Sequence, residues 1–214
     1  MSSIDKLIEI GSKALTNESP QSTQLLSEKS ELSKSLKDLL EGKNGFVAFE
    51  AALVVFPSCD IGQTKGIESW NLQSGWRNGY ADCLDPETIF FAHDLFGVQF
   101  GIEGDRVVQF NPETGELTTY ANSFDEWASV LLENYQADTG WPLAHEWQIA
   151  NGQLLPHERL LPKQPFILGG EFEVDNLIAI EAECGMRNWA TLYNSIKTAS
   201  DGEEVSVSGW LDCR

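Results

Sequence analysis

Between residues 89 and 127 the sequence alternates short β-branched and aromatic runs with turn residues and then enters a capped helix, a succession few architectures accommodate. The runs lie at 89–92, at 98–102 with Val98, Phe100 and Ile102 alternating, at 106–110 and at 117–120. Gly104-Asp105 separates the second from the third, and Asn111-Pro112-Glu113-Thr114-Gly115 the third from the fourth. Connections this short join antiparallel neighbours, because parallel strands need a crossover of a dozen or more residues. The stretch therefore predicts an antiparallel meander. Ser123 with Glu126 three residues on forms a capping box, and Phe124, Trp127, Val130, Leu131 and Tyr135 follow at helical spacing.

Ahead of the meander, Ile4, Leu7, Ile8, Ile10, Ala14 and Leu15 follow the N-cap candidates Ser2 and Ser3 and predict a short amphipathic helix. Residues 16–23 are polar, carry Pro20 and read as a linker. A second helix is expected from Leu25 through Leu32, Leu36, Leu39 and Leu40, ended by Gly42 or Gly45. Residues 51–56 read as a buried strand, with a helical turn left open at 46–50. Residues 61–85 read as an irregular segment pinned by Trp70, Trp76 and Tyr80. Downstream, Pro142 and Gly152 bracket a short helix with Leu143, Trp147 and Ile149, after which Pro156, Pro162 and Pro165 impose an extended crossing. Strands at 166–168 and 177–180, a helix at 183–196 with Met186, Trp189, Ala190 and Tyr193 inward, and a last strand at 205–209 after Asp201-Gly202 complete the expectation. The organisation expected is a helix and linker over residues 1–23 and one domain over 24–214. Whether the first helix docks on that domain is left open.

The 214 residues carry 33 Asp and Glu against 14 Lys and Arg, a net charge of -19. A general phosphate-backbone binder is excluded by that balance, since such proteins neutralise phosphates with basic groups. From Phe46 onward stand 26 acidic and 8 basic residues, net -18, so the field belongs to the main body. Two readings of it stand: solubility alone, or steering of a cationic partner. Cys59, Cys83, Cys184 and Cys213 form no CxxC pair, and no signal-like segment opens the chain, so a reduced, cytoplasmic protein is expected. The longest dense apolar run, 46–56, contains Glu50 and falls short of the ~20 residues a bilayer crossing needs. No membrane partner is expected.

Gly169-Gly170-Glu171-Phe172 matches the diguanylate cyclase signature, but that chemistry needs a larger upstream half with its own metal carboxylate. It reads instead as a glycine-permitted turn. His93, His145 and His157 fit no HExxH helix or Cys/His zinc module, and no nucleophile elbow, Walker loop or GxGxxG occurs. Pairs such as Asp125-Glu126 arise by chance among so many acids. No catalytic residue, metal or cofactor is expected, with a hydrolase or nucleotide-processing enzyme as a minor alternative.

Phe90-Phe91-Ala92-His93-Asp94-Leu95-Phe96-Gly97-Val98-Gln99-Phe100, the residues 107–116 and Ser123-Phe124-Asp125-Glu126-Trp127 together resemble the SUKH superfamily. Leu39-Leu40-Glu41-Gly42-Lys43-Asn44-Gly45-Phe46 resembles its N-terminal helix and turn, and Trp70-Asn71 with residues 76–80 its aromatic loop. Pro142-Leu143-Ala144-His145-Glu146-Trp147 and residues 165–172 resemble a longer bacterial branch. The likeness spans roughly residues 25–207. It implies a single α+β domain, helices on a mainly antiparallel or mixed sheet, used to bind proteins. In bacteria it implies an immunity protein that neutralises a cognate toxin, often a nuclease; as in the yeast cell-wall synthesis regulator, a regulatory or scaffold role is the alternative.

Partner contacts are expected at loop acids, since the aromatic residues sit at core spacing. The candidates are Asp82, Asp85 and Glu87 before the meander, Glu103 and Asp105 at one turn, Glu113 and Glu116 at the next, and Glu171, Glu173 and Asp175 on the Gly-rich loop. Trp70, Trp76 and Trp141 are candidate aromatic anchors if exposed. The expected partner is a basic toxin domain.

Overall fold

Six strands follow one another in space in the order in which they occur in the sequence: β1 (Phe46–Ala48), β2 (Leu53–Val55), β3 (Ile89–His93), β4 (Gln99–Glu103), β5 (Arg106–Asn111) and β6 (Glu116–Ala121). Every neighbouring pair is antiparallel. This computed structural model describes residues 1–20, 25, 30–199, 207 and 209–213. The remaining elements are α1 (Ser3–Ile10), α2 (Glu31–Gly42), α3 (Ile67–Trp70), α4 (Phe124–Thr139), α5 (Trp141–Asn151), α6 (Ala182–Ile196) and a separate ribbon of β7 (Glu158–Pro162) with β8 (Leu177–Glu181). The fold is α+β, as expected.

The central strands of the sheet are buried on both faces. Against one face α4 lays Phe124 and Trp127, whose rings meet Phe91 at 4.8 and 5.0 Å, while Trp127 meets Phe100 at 5.9 Å. On the other, Phe90 and Phe110 pack against Trp76 at 5.5 and 6.3 Å, and Tyr80 leads on to Tyr193 of α6. Double coverage explains why β3 and β4 are almost continuously buried instead of alternating. Ser123 caps α4 by accepting from the Glu126 amide at 3.1 Å, while the Glu126 carboxylate reaches the Asn122 amide at 2.8 Å.

α1 is docked. Leu7 is fully buried, the Ile4 amide donates to Asp125 on α4, and Lys43 Nζ donates to the Ser12 carbonyl at 2.8 Å. Ser12 and Leu15 then donate to the Val47 and Gly45 carbonyls, which covers the outer edge of β1.

Several expectations are corrected. Residues 46–50 hold no helical turn: β1 ends in a turn whose Phe49, Glu50 and Ala51 all have positive φ (51°, 54° and 64°). That costly conformation is held by Arg159 Nη1 on the Ala51 carbonyl, Gln148 Nε2 on the Glu50 carbonyl, and His145 Nδ1 beside the Glu50 carboxylate, each at 2.8 Å. Residues 166–168 form a 3-10 turn and not a strand, because Pro165 precedes them and Gly169 follows at φ 86°. The second helix begins after the Ser30 cap; residues 26–29, and most of the strand expected at 205–209 with its turn, lie outside the described residues. The fully reduced state is overturned as well: Cys184 and Cys213 form a disulfide, and Cys59 and Cys83 are free thiols.

Charged and titratable groups also enter the core. Arg159, 1% exposed, donates to the Ala51, Asp94 and Pro156 carbonyls. Burial depresses its guanidinium to about 9 even with Asp94 nearby. Asp94 Oδ1 accepts the Phe96 and Val98 amides at 2.9 and 2.7 Å, yet burial prevails and raises the carboxyl to about 7. His93 lies between Phe56 and Trp70 with neither ring nitrogen hydrogen-bonded, and burial holds it neutral, well below the usual histidine range.

Candidate protein-interaction surface

A groove of about 540 Å³ opens beside the first half of the meander. Ile89 and Ile102 form its floor, with Leu72, 55% exposed, on its lip. Asn71 sets the geometry: its side-chain oxygen accepts the Phe90 amide at 2.8 Å, its nitrogen donates to the Phe90 carbonyl at 2.7 Å, and α3 is thereby tied to β3. Buried Arg77 stiffens the same corner by donating to Asn71 and to the Thr88 and Asp85 carbonyls. Glu68 and Glu87 stand on the rim beside the Gly104 turn, which carries Glu103 and Asp105. An apolar floor with an acidic rim suits a basic surface bearing an apolar side chain.

The expected acids do not form one patch. Of the expected acids only Glu87 lines the groove; Glu103 and Asp105 flank its Gly104 in sequence, and Glu103 pairs with Arg106 at 2.6 Å. Asp85 shapes the approach by accepting the Glu87 amide at 2.9 Å. Asp82 lies against α6, paired with Lys197 at 2.8 Å and taking the Tyr193 hydroxyl at 3.3 Å, bonds that lower its carboxyl. Glu171, Glu173 and Asp175 are exposed together on the β7–β8 connection. Glu113 reaches that connection, accepting the Ile167 amide at 3.0 Å, and burial raises its carboxyl; Glu116 is exposed beyond the turn.

Two of the three proposed anchors are core residues. Trp70 is 2% exposed and donates its indole N–H to Gln99, and Trp76, 1% exposed, donates to the Trp70 carbonyl. Both indoles find partners inside, so neither presents a face to a partner. Trp141 is half-buried, stacked on His145 at 5.3 Å and edge-on to Tyr135 at 5.5 Å. Glu68 and Leu72 at the groove, and the exposed Ile167 and Phe172 on the β7–β8 connection, were not among the expected contacts; for Phe172 the acidic, glycine-led string was the available signal. Among the described residues no group of three or more His, Cys, Asp and Glu side chains is placed to hold a metal ion, and no helix is long and apolar enough to cross a membrane.

No family model matches this chain, and no curated protein matches it. Among solved structures, the crystal structure of Atu4351 from Agrobacterium tumefaciens is similar, with a TM-score of 0.58 over 86% of each chain at 14% sequence identity. Identity that low makes the likeness one of fold alone.

Proposed function

We propose that this chain is a non-catalytic, acidic protein-binding module that neutralises a cationic protein, as an immunity protein does its cognate toxin. The observation that carries the reading is the net charge of -18 downstream of Phe46, displayed partly around a groove with an apolar floor. A nuclease toxin fits this chemistry, because its substrate phosphates demand a basic surface that an acidic protein can occupy. The resemblance to the SUKH superfamily points the same way. We place the action in the cytoplasm, where a nuclease meets its substrate. The Cys184–Cys213 bridge stands against that placement, since such bonds persist in oxidising compartments.

Co-expression tests the reading. The probe is the basic C-terminal domain that the proposal requires the neighbouring gene to encode, produced in a host that it stops from growing; a neighbouring gene that encodes no such domain would also contradict the proposal. Co-production of the chain is expected to restore growth and to yield a complex that survives gel filtration. Unrelieved arrest with no complex would contradict the proposal.

A further inference from the structure

Phe172 is 65% exposed and Ile167 50%, and both sit on the β7–β8 connection. The connection is firmly held. Asn176 Nδ2 donates to the Gln164 and Glu171 carbonyls at 3.1 and 2.9 Å, its Oδ1 accepts the Gln164 amide at 2.9 Å, and Lys163 Nζ donates to the Asp175 carbonyl at 2.7 Å. At Gly170 the chain passes so close to Gln164 that a Cβ would lie 1.9 Å from its carbonyl oxygen, so only glycine fits. Phe166 anchors the loop edge-on against Phe96 at 5.3 Å, and Phe172 stacks on Phe166 at 4.0 Å with the planes 7° apart. One face of Phe172 is thus seated on the fold and the other is open.

We propose that this loop is a docking knob: Phe172 and Ile167 enter an apolar recess on a cationic protein, and Glu171, Glu173 and Asp175 meet the basic side chains around that recess. The inference rests on the reading of the chain as a binder of a cationic protein and names the element that engages it. Charge selects the occupant. A second copy of this chain would bring the same three acids against a body of the same sign, whereas a basic domain meets complementary charge. Preorganisation favours the role, since a loop already pinned loses little conformational freedom on binding.

The test measures binding kinetics of the same basic C-terminal domain against wild type, Phe172→Ala, Ile167→Asp and the double variant Glu171→Lys with Glu173→Lys. Phe172→Ala should weaken affinity by about 30-fold or more, a hot-spot effect seen mainly as faster dissociation. Charge reversal should instead slow association. Thermal melting checks the fold, and Ile167→Asp, which keeps the Phe166–Phe172 stack, gives a second reading if Phe172→Ala melts early. Wild-type binding with both apolar variants within about threefold of it would overturn the knob and leave the proposed function standing. Failure of wild type to bind would overturn both.

Discussion

Asp94→Ala is expected to destabilise the protein by roughly 4 kcal/mol in denaturant unfolding, while Asp94→Asn costs under about 1.5 kcal/mol. The alanine variant orphans the Phe96 and Val98 amides that Asp94 Oδ1 accepts, at about 1–3 kcal/mol each if they stay buried. It also removes the carboxyl that most favours the charged form of buried Arg159. Asparagine keeps the accepting oxygen, so the gap between the variants separates hydrogen bonding from charge. The pH dependence separates them again. His93 is held neutral, so its contribution is full above about 6.5 and declines as pH falls, by about 1.4 kcal/mol per unit. Asp94, raised to about 7, favours the protonated fold, so its contribution grows as pH falls from 7 toward 3.8. Adjacent in sequence, the two offset each other, and wild type should be nearly flat in the window just below about pH 6.5 with respect to this pair. Asp94→Asn should lose stability steeply over that window. Equal pH profiles for wild type and variant would refute this assignment.

Reduction of the Cys184–Cys213 bond, or Cys213→Ser, should lower stability by about 3 kcal/mol, because the crosslink spans 29 residues and restricts the unfolded chain. The segment it tethers is seated by specific contacts. Trp210 donates to the Pro162 carbonyl at 2.9 Å and meets Trp189 edge-on at 5.2 Å, while the Leu211 amide donates to Asn188. Those contacts lose their covalent anchor, so hydrogen exchange should rise first at residues 209–213. A melting curve unchanged by reductant, with all four thiols found free in the untreated protein, would show that the bond does not form.

The meander was legible because its information is local. Turn residues at 104–105 and 111–115 and the Ser123 cap sit beside the elements they delimit, and β3 to β6 and α4 match expectation to within a residue or two at their starts. What failed depends on partners distant in sequence. Trp70 and Trp76 resembled exposed anchors until Gln99, Phe110 and α6 closed over them. The left-handed turn at 49–51 is held by Arg159, His145 and Gln148, about a hundred residues away, and nothing local announces it. The cysteine pairing likewise follows no spacing rule. The candidate acids could be named from their turn positions, but their division between the groove, α6 and the β7–β8 loop depends on tertiary position. Phe172 was visible within a suspicious string, yet only the stack on Phe166 distinguishes a presented side chain from an ordinary turn residue.

The central claim is that the acidic body steers a cationic protein, and the most direct measurement is the association rate of wild type with the basic C-terminal domain between roughly 50 and 500 mM salt, a range that shortens the screening length severalfold. The rate should fall by roughly tenfold or more while dissociation changes by less than about threefold. An association rate indifferent to salt, or a partner that proves acidic, would contradict the account and leave the charge of -19 as a solubility feature.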